Sequence, residues 1–150
     1  MKKNIIWVVG CTVIGLIMGK IMFNQYDQGD DQKVSATVTE AKVYFFQVGV
    51  YSNLENMKNA SSKYDSYIYM EQDSKYYVFV GLTKSEENKE KLKTYFEQLY
   101  TDIYIKEITL NNSGFLDTLD QYDLLLKEAK TNQEIKEITK SILAKYEEMV

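Results

Sequence analysis

The chemistry open to this chain is bounded by what it lacks. It has no His and no Pro, all eighteen basic residues are Lys, and the single Cys, Cys11, sits in an apolar run. Without His, the usual general base near neutral pH and the commonest metal ligand are missing. One Cys supports neither a disulfide framework nor a thiolate cluster. A catalytic site would rest on carboxylates, Lys, Tyr, Ser or Thr alone. The twenty-two Asp and Glu are scattered as a solvated surface would be. The expectation is a protein that is not an enzyme and takes no metal and no cofactor. Aromatic residues are abundant, with thirteen Tyr and six Phe. Many fall in two stretches, Tyr44 to Tyr51 and Tyr76 to Thr83. In the first, Gln47 is the one polar interruption. In the second, Tyr77 and Phe79 hold alternate positions, so all three can share one surface. Flat rings beside an amide suit sugars, which present C–H patches and hydroxyls. A buried, unpaired amide costs about 1–3 kcal/mol. Gln47 therefore has an internal partner, or it meets ligand or water.

The elements that must position these residues follow from a repeat. The two stretches superpose with Tyr44 on Tyr76, Val48 on Val80 and Gly49 on Gly81, and the match continues through Glu55/Glu87 and Asn56/Asn88. Self-similarity at a fixed period signals a repeated supersecondary unit. Each copy reads as a strand, a Gly, a polar stretch and a helix. Ser52 to Glu55, Thr83 to Glu86 and Thr131 to Glu134 match capping boxes. Strands are expected at 43–51, 66–71, 76–83 and 103–110, and helices at 53–64 and 85–100. The order β-α-β-β-α-β is that of the ferredoxin-like fold. It is an α+β domain with a four-stranded antiparallel sheet, its first and third strands central and both helices on one face. The repeat Gly residues are read structurally, as sites of positive φ or close packing. Neither GVYSN nor GLTKS carries a phosphate-loop pattern.

Strict alternation assigns the faces. Phe46, Val48, Val78, Val80, Ile68, Ile103 and Ile105 would point at the helices. Phe45, Gln47, Tyr67, Tyr69, Tyr77, Phe79, Tyr104 and Lys106 would form the other face, which is aromatic with a few polar groups.

The flanking segments set the context. Ile5 to Phe23 is apolar apart from Lys20, Thr12 and three Gly, long enough to span a bilayer. Lys2 and Lys3 precede it, while Asp27, Asp30 and Asp31 follow. The positive-inside rule then leaves the N-terminus in the cytoplasm and the rest outside. A cleaved signal peptide is the rival reading, and Val8 to Cys11 faintly resembles a lipoprotein cleavage box. Gly15 and Gly19 fit a helix-packing pair, or merely the abundance of Gly in membrane helices. Removing Lys2, Lys3 and Lys20 leaves fifteen Lys against twenty-two acidic residues, a balance that disfavours nucleic acid. The chain divides into anchor (1–23), polar tether (24–41), domain (42–110) and a C-terminal helical hairpin (111–150). The hairpin carries two apolar stripes. Phe115, Leu116, Leu119, Tyr122, Leu126 and Ala129 make the first, and Ile135, Ile138, Ile142, Tyr146 and Met149 the second. They must pack on each other, the sheet or a protein partner.

Phe46-Gln47-Val48-Gly49-Val50-Tyr51 resembles the opening signature of SPOR domains, the sporulation-related repeat of bacteria. Tyr77-Val78-Phe79-Val80-Gly81 is similar to the family's second signature. The resemblance covers residues 42–110, and the layout of anchor, linker and extracytoplasmic domain is similar too. It implies binding to peptidoglycan glycan strands stripped of stem peptides, at the septum, in cell division or sporulation. Gln47 matches the family's Gln in the first strand. The implied contacts lie on the open sheet face, here Gln47, Phe45, Tyr77, Phe79 and Tyr104. Tyr77 falls where many members carry a polar or basic residue, Val50 and Leu82-Thr83 depart from the family pattern, and the hairpin lies outside it. The alternative is a membrane-tethered scaffold that recruits protein through its helices and binds no sugar. A near-continuous apolar strand such as Tyr44 to Tyr51 also reads as one covered on both faces. A hairpin lying over Phe45, Tyr77 and Phe79 would remove the glycan reading for that conformation and put the scaffold in its place.

Overall fold

The computed structural model describes residues 40–150. The expected anchor and nearly all of the tether lie outside the described residues. Among the described residues, no helix is long and apolar enough to cross a membrane. The elements are β1 (Ala41–Tyr51), α1 (Leu54–Ser61), β2 (Ile68–Gln72), β3 (Lys75–Thr83), α2 (Glu86–Glu97), β4 (Tyr104–Leu110), α3 (Ser113–Glu128) and α4 (Asn132–Met149). The architecture is α+β, a four-stranded antiparallel sheet with four helices. Strand order is β2-β3-β1-β4, so the two repeated strands form the centre.

The repeat holds in detail. β1 ends at Tyr51 and β3 at Thr83, equivalent positions of the two copies. The helix N-caps are equivalent too. The Asn53 side chain accepts from the backbone N–H groups of Glu55 and Asn56, and the Ser85 hydroxyl from that of Asn88. Both caps fall inside the expected boxes rather than at their first residues. Asn is among the best N-caps, and the Thr83 hydroxyl is engaged elsewhere. The third box forms as expected, with Thr131 and Glu134 satisfying each other's backbone amides. Neither repeat Gly has positive φ; the need is for space. A Cβ on Gly81 would approach the Phe96 ring to 2.7 Å, and one on Gly49 the Tyr51 ring to 2.7 Å.

Two register shifts interrupt the β1–β3 ladder, between Phe46 and Gln47 and between Gln47 and Gly49. Such bulges re-aim side chains. Residues directly opposite in a ladder share a face, which fixes the two surfaces. Phe46, Gly81 and Ile105 lie together, with the Phe46 ring 5.2 Å from that of Phe96 on α2. Phe45, Leu82 and Lys106 lie on the opposite face, as do Gln47, Phe79 and Tyr104. β2 corrects the sequence reading. Ile68 opposes Phe79 and Met70 opposes Tyr77, whereas Tyr69 opposes Val78. Ile68 therefore joins the Phe45 face, and Tyr67 and Tyr69 the α2 face. A two-residue turn at Asp73 and Ser74, with φ of 52° and 58°, sets this register. A slip of one residue exchanges every side chain between faces.

The C-terminal helices pack on the sheet. The Tyr146 ring of α4 lies 5.6 Å from Phe45 and 5.3 Å from Phe115 of α3. Nearer its start, α4 sets Thr139 beside Gly81 and Phe96. β2 stops pairing at Phe79, and α4 runs beside the part of β3 that extends past it. The hairpin takes the sheet as its seat, one of the three left open, and β3 is buried from Val78 to Thr83, on both faces. A polar node locks α3 in place. Asp123 accepts from the Thr83 hydroxyl, from the Lys84 N–H at 3.0 Å and from the Asn88 amide at 3.2 Å. Burial raises the carboxyl pKa of Asp123, and these three hydrogen bonds oppose the shift.

Candidate functional site

The five residues expected at a ligand face do share one face, and the hairpin divides them. Phe45 and Phe79 are fully buried, their rings 5.3 Å apart edge to face, with Tyr146 against Phe45. They are core in this structure, which corrects their assignment as contacts. Each buried Phe contributes roughly 1.5–3 kcal/mol. The stripe of α4 supplies the cover that the sequence left unassigned.

Gln47, Tyr77 and Tyr104 remain accessible. Gln47 and Tyr77 are half-buried, and Tyr104 is 65% exposed. Lys106 joins them. Its ammonium sits 4.2 Å from the Tyr77 ring centroid and donates to Gln72 Oε1 at 3.0 Å. A cation over an aromatic face is attracted by the ring quadrupole. The pair spans the sheet from β4 to β2 and holds the Tyr77 ring in place. The result is a strip across the half of this face that the hairpin leaves uncovered: Tyr104, Gln47, Lys106, Tyr77 and Gln72. Its donors, acceptors and ring faces can meet hydroxyls and sugar C–H groups together. It holds no nucleophile–base pair, and among the described residues no group of His, Cys, Asp or Glu is placed to hold a metal.

Gln72 was missed by sequence reasoning because the expected strand stops at 71, one residue short of the end of β2. The turn residues Asp73 and Ser74 are the signal that places it on β2. Also missed was a groove of about 440 Å³ beside Gln47. It is lined by Gln47 to Val50 on one side and by Glu97 and Thr101 to Tyr104 on the other. It opens because β4 pairs with β1 only as far as Gln47 and Tyr104.

Compared with known proteins, the chain matches no family model, no curated protein and no solved structure.

Proposed function

We propose that this is a membrane-anchored, extracytoplasmic module that binds peptidoglycan glycan strands through the strip of Gln47, Tyr77, Lys106 and Tyr104. The strand order and helix placement of residues 41–110 support a ferredoxin-like domain of SPOR type as its core. The observation that carries the reading is the survival of Gln47 and Tyr77 on one accessible face beside a hydrogen-bonded Lys. The resemblance of the two strand signatures supplies the ligand class, denuded septal glycan, and with it a role in division or sporulation. Lys2 and Lys3 before the apolar run support an N-in, C-out single pass.

The test is co-sedimentation of the full-length protein with purified sacculi, before and after amidase treatment. Gln47→Ala and Tyr77→Ala should each weaken binding about tenfold, near the value of one hydrogen bond or one ring contact. Circular dichroism should be unchanged. Undiminished binding by the double variant overturns the assignment of the strip.

A second reading has its own observation. The burial of Phe45 and Phe79 under α4 halves the aromatic face. That favours a membrane-tethered scaffold whose partner is a protein. Failure of the wild type to bind any sacculus preparation would establish this reading in place of the first.

A further inference from the structure

We propose that the open edge of β1 at residues 48–51 takes an extended, Lys-bearing peptide from a protein partner as an added strand. The edge is a different surface from the face of the glycan reading, and the two adjoin at Gln47 and Tyr104.

The case begins with unequal strand lengths. β1 continues to Tyr51, where it still pairs with Tyr76 of β3, but its pairing with β4 ends at Gln47 and Tyr104. On the β4 side, residues 48–51 present a strand edge with no ladder partner. No turn or loop backbone hydrogen bond reaches them from the other described residues. An unpaired edge is a template for another chain, and strand addition uses such an edge for affinity and flanking pockets for selectivity. Both are present. The 440 Å³ groove runs along this edge. A second hollow of about 330 Å³ adjoins it, lined by Val48, Tyr64, Leu99, Tyr100, Thr101, Asp102 and Lys63. Val50 is 43% exposed and Leu99 53%. One side chain of an added strand can lie against Leu99 there, in a hollow that Lys63 and Asp102 make mixed rather than apolar.

Charge selects the occupant. Glu97 and Asp102 line the groove wall, and neither forms an ion pair with a described residue. A second copy of this chain, pairing through the same edge, would bring two such carboxylate pairs together and be repelled. A peptide alternating apolar and Lys residues sets one side chain in the hollow by Leu99 and the next toward the carboxylates.

The experiment uses the full-length protein in detergent and a fluorescent Lys-Val-Lys-Val-Lys-Val peptide, read by anisotropy. Saturable binding is expected, and a Glu-for-Lys peptide should bind about tenfold more weakly or worse. Because alternate amides of a strand face one edge, N-methylating one alternate set should abolish binding while N-methylating the other should not. Glu97→Lys with Asp102→Lys, checked as folded by circular dichroism, should reverse the preference toward the Glu peptide. The proposal is overturned by absence of saturable binding or by equal tolerance of both N-methylated sets.

Discussion

At the scale of single residues, Asp123 is the most exacting position. One carboxylate satisfies a hydroxyl, a backbone N–H and an amide at the junction of β3, α2 and α3. Asp123→Ala leaves those donors without acceptors and should cost about 2–4 kcal/mol, read from denaturant midpoints. The pH dependence has a definite sign. The folded-state pKa of Asp123 is raised by burial, so its contribution is fully present below the ordinary carboxyl range. It is lost as pH rises through the raised value. Stability measured against Asp123→Asn across acidic to neutral pH should therefore fall for the wild type. A rising difference would contradict the burial argument. Nothing in the sequence marked Asp123, one acidic residue among many on an amphipathic helix. Gln47 was legible because it interrupts an apolar strand. Phe45 and Phe79 misled because alternation reports a face and not what lies over it.

At the scale of elements, local signals served where they were self-contained. The repeat located β1 and β3, and the Thr131 capping box located the start of α4. β2 was located and its register was not, because it is a short edge strand whose register comes from the turn. Asp73 and Ser74 both occupy the left-handed region, where a residue with a Cβ is strained by roughly 1–2 kcal/mol. Ser74→Gly should raise the thermal midpoint by a few degrees, for a gain of about 0.5–1 kcal/mol. An unchanged midpoint would mean the turn costs nothing. The hairpin helices were legible as stripes, while their seat was not, since an apolar stripe names no partner. A chain ending at Leu110 should lose the helical signal of α3 and α4 and also bind a hydrophobic dye strongly, because Phe45, Val43 and Leu82 lose their cover. Dye binding no greater than that of the intact protein would deny that the hairpin completes the core.

At the scale of the whole molecule, the proposed membrane topology is open to a direct measurement. A reporter fused after Val150 should work outside the cytoplasm, and activity confined to the cytoplasm would reverse the proposed topology. The packing of Tyr146 against Phe45 bears on something else, the order of events in synthesis. The side chain that covers the first strand is Tyr146, made about a hundred residues after Phe45. Contacts so distant in sequence form slowly. The nascent chain therefore carries an uncovered aromatic surface until the last turn of α4 emerges. A ribosome stalled before Tyr146 should leave the sheet open to protease, and one stalled far enough beyond for Tyr146 to have emerged should leave it closed.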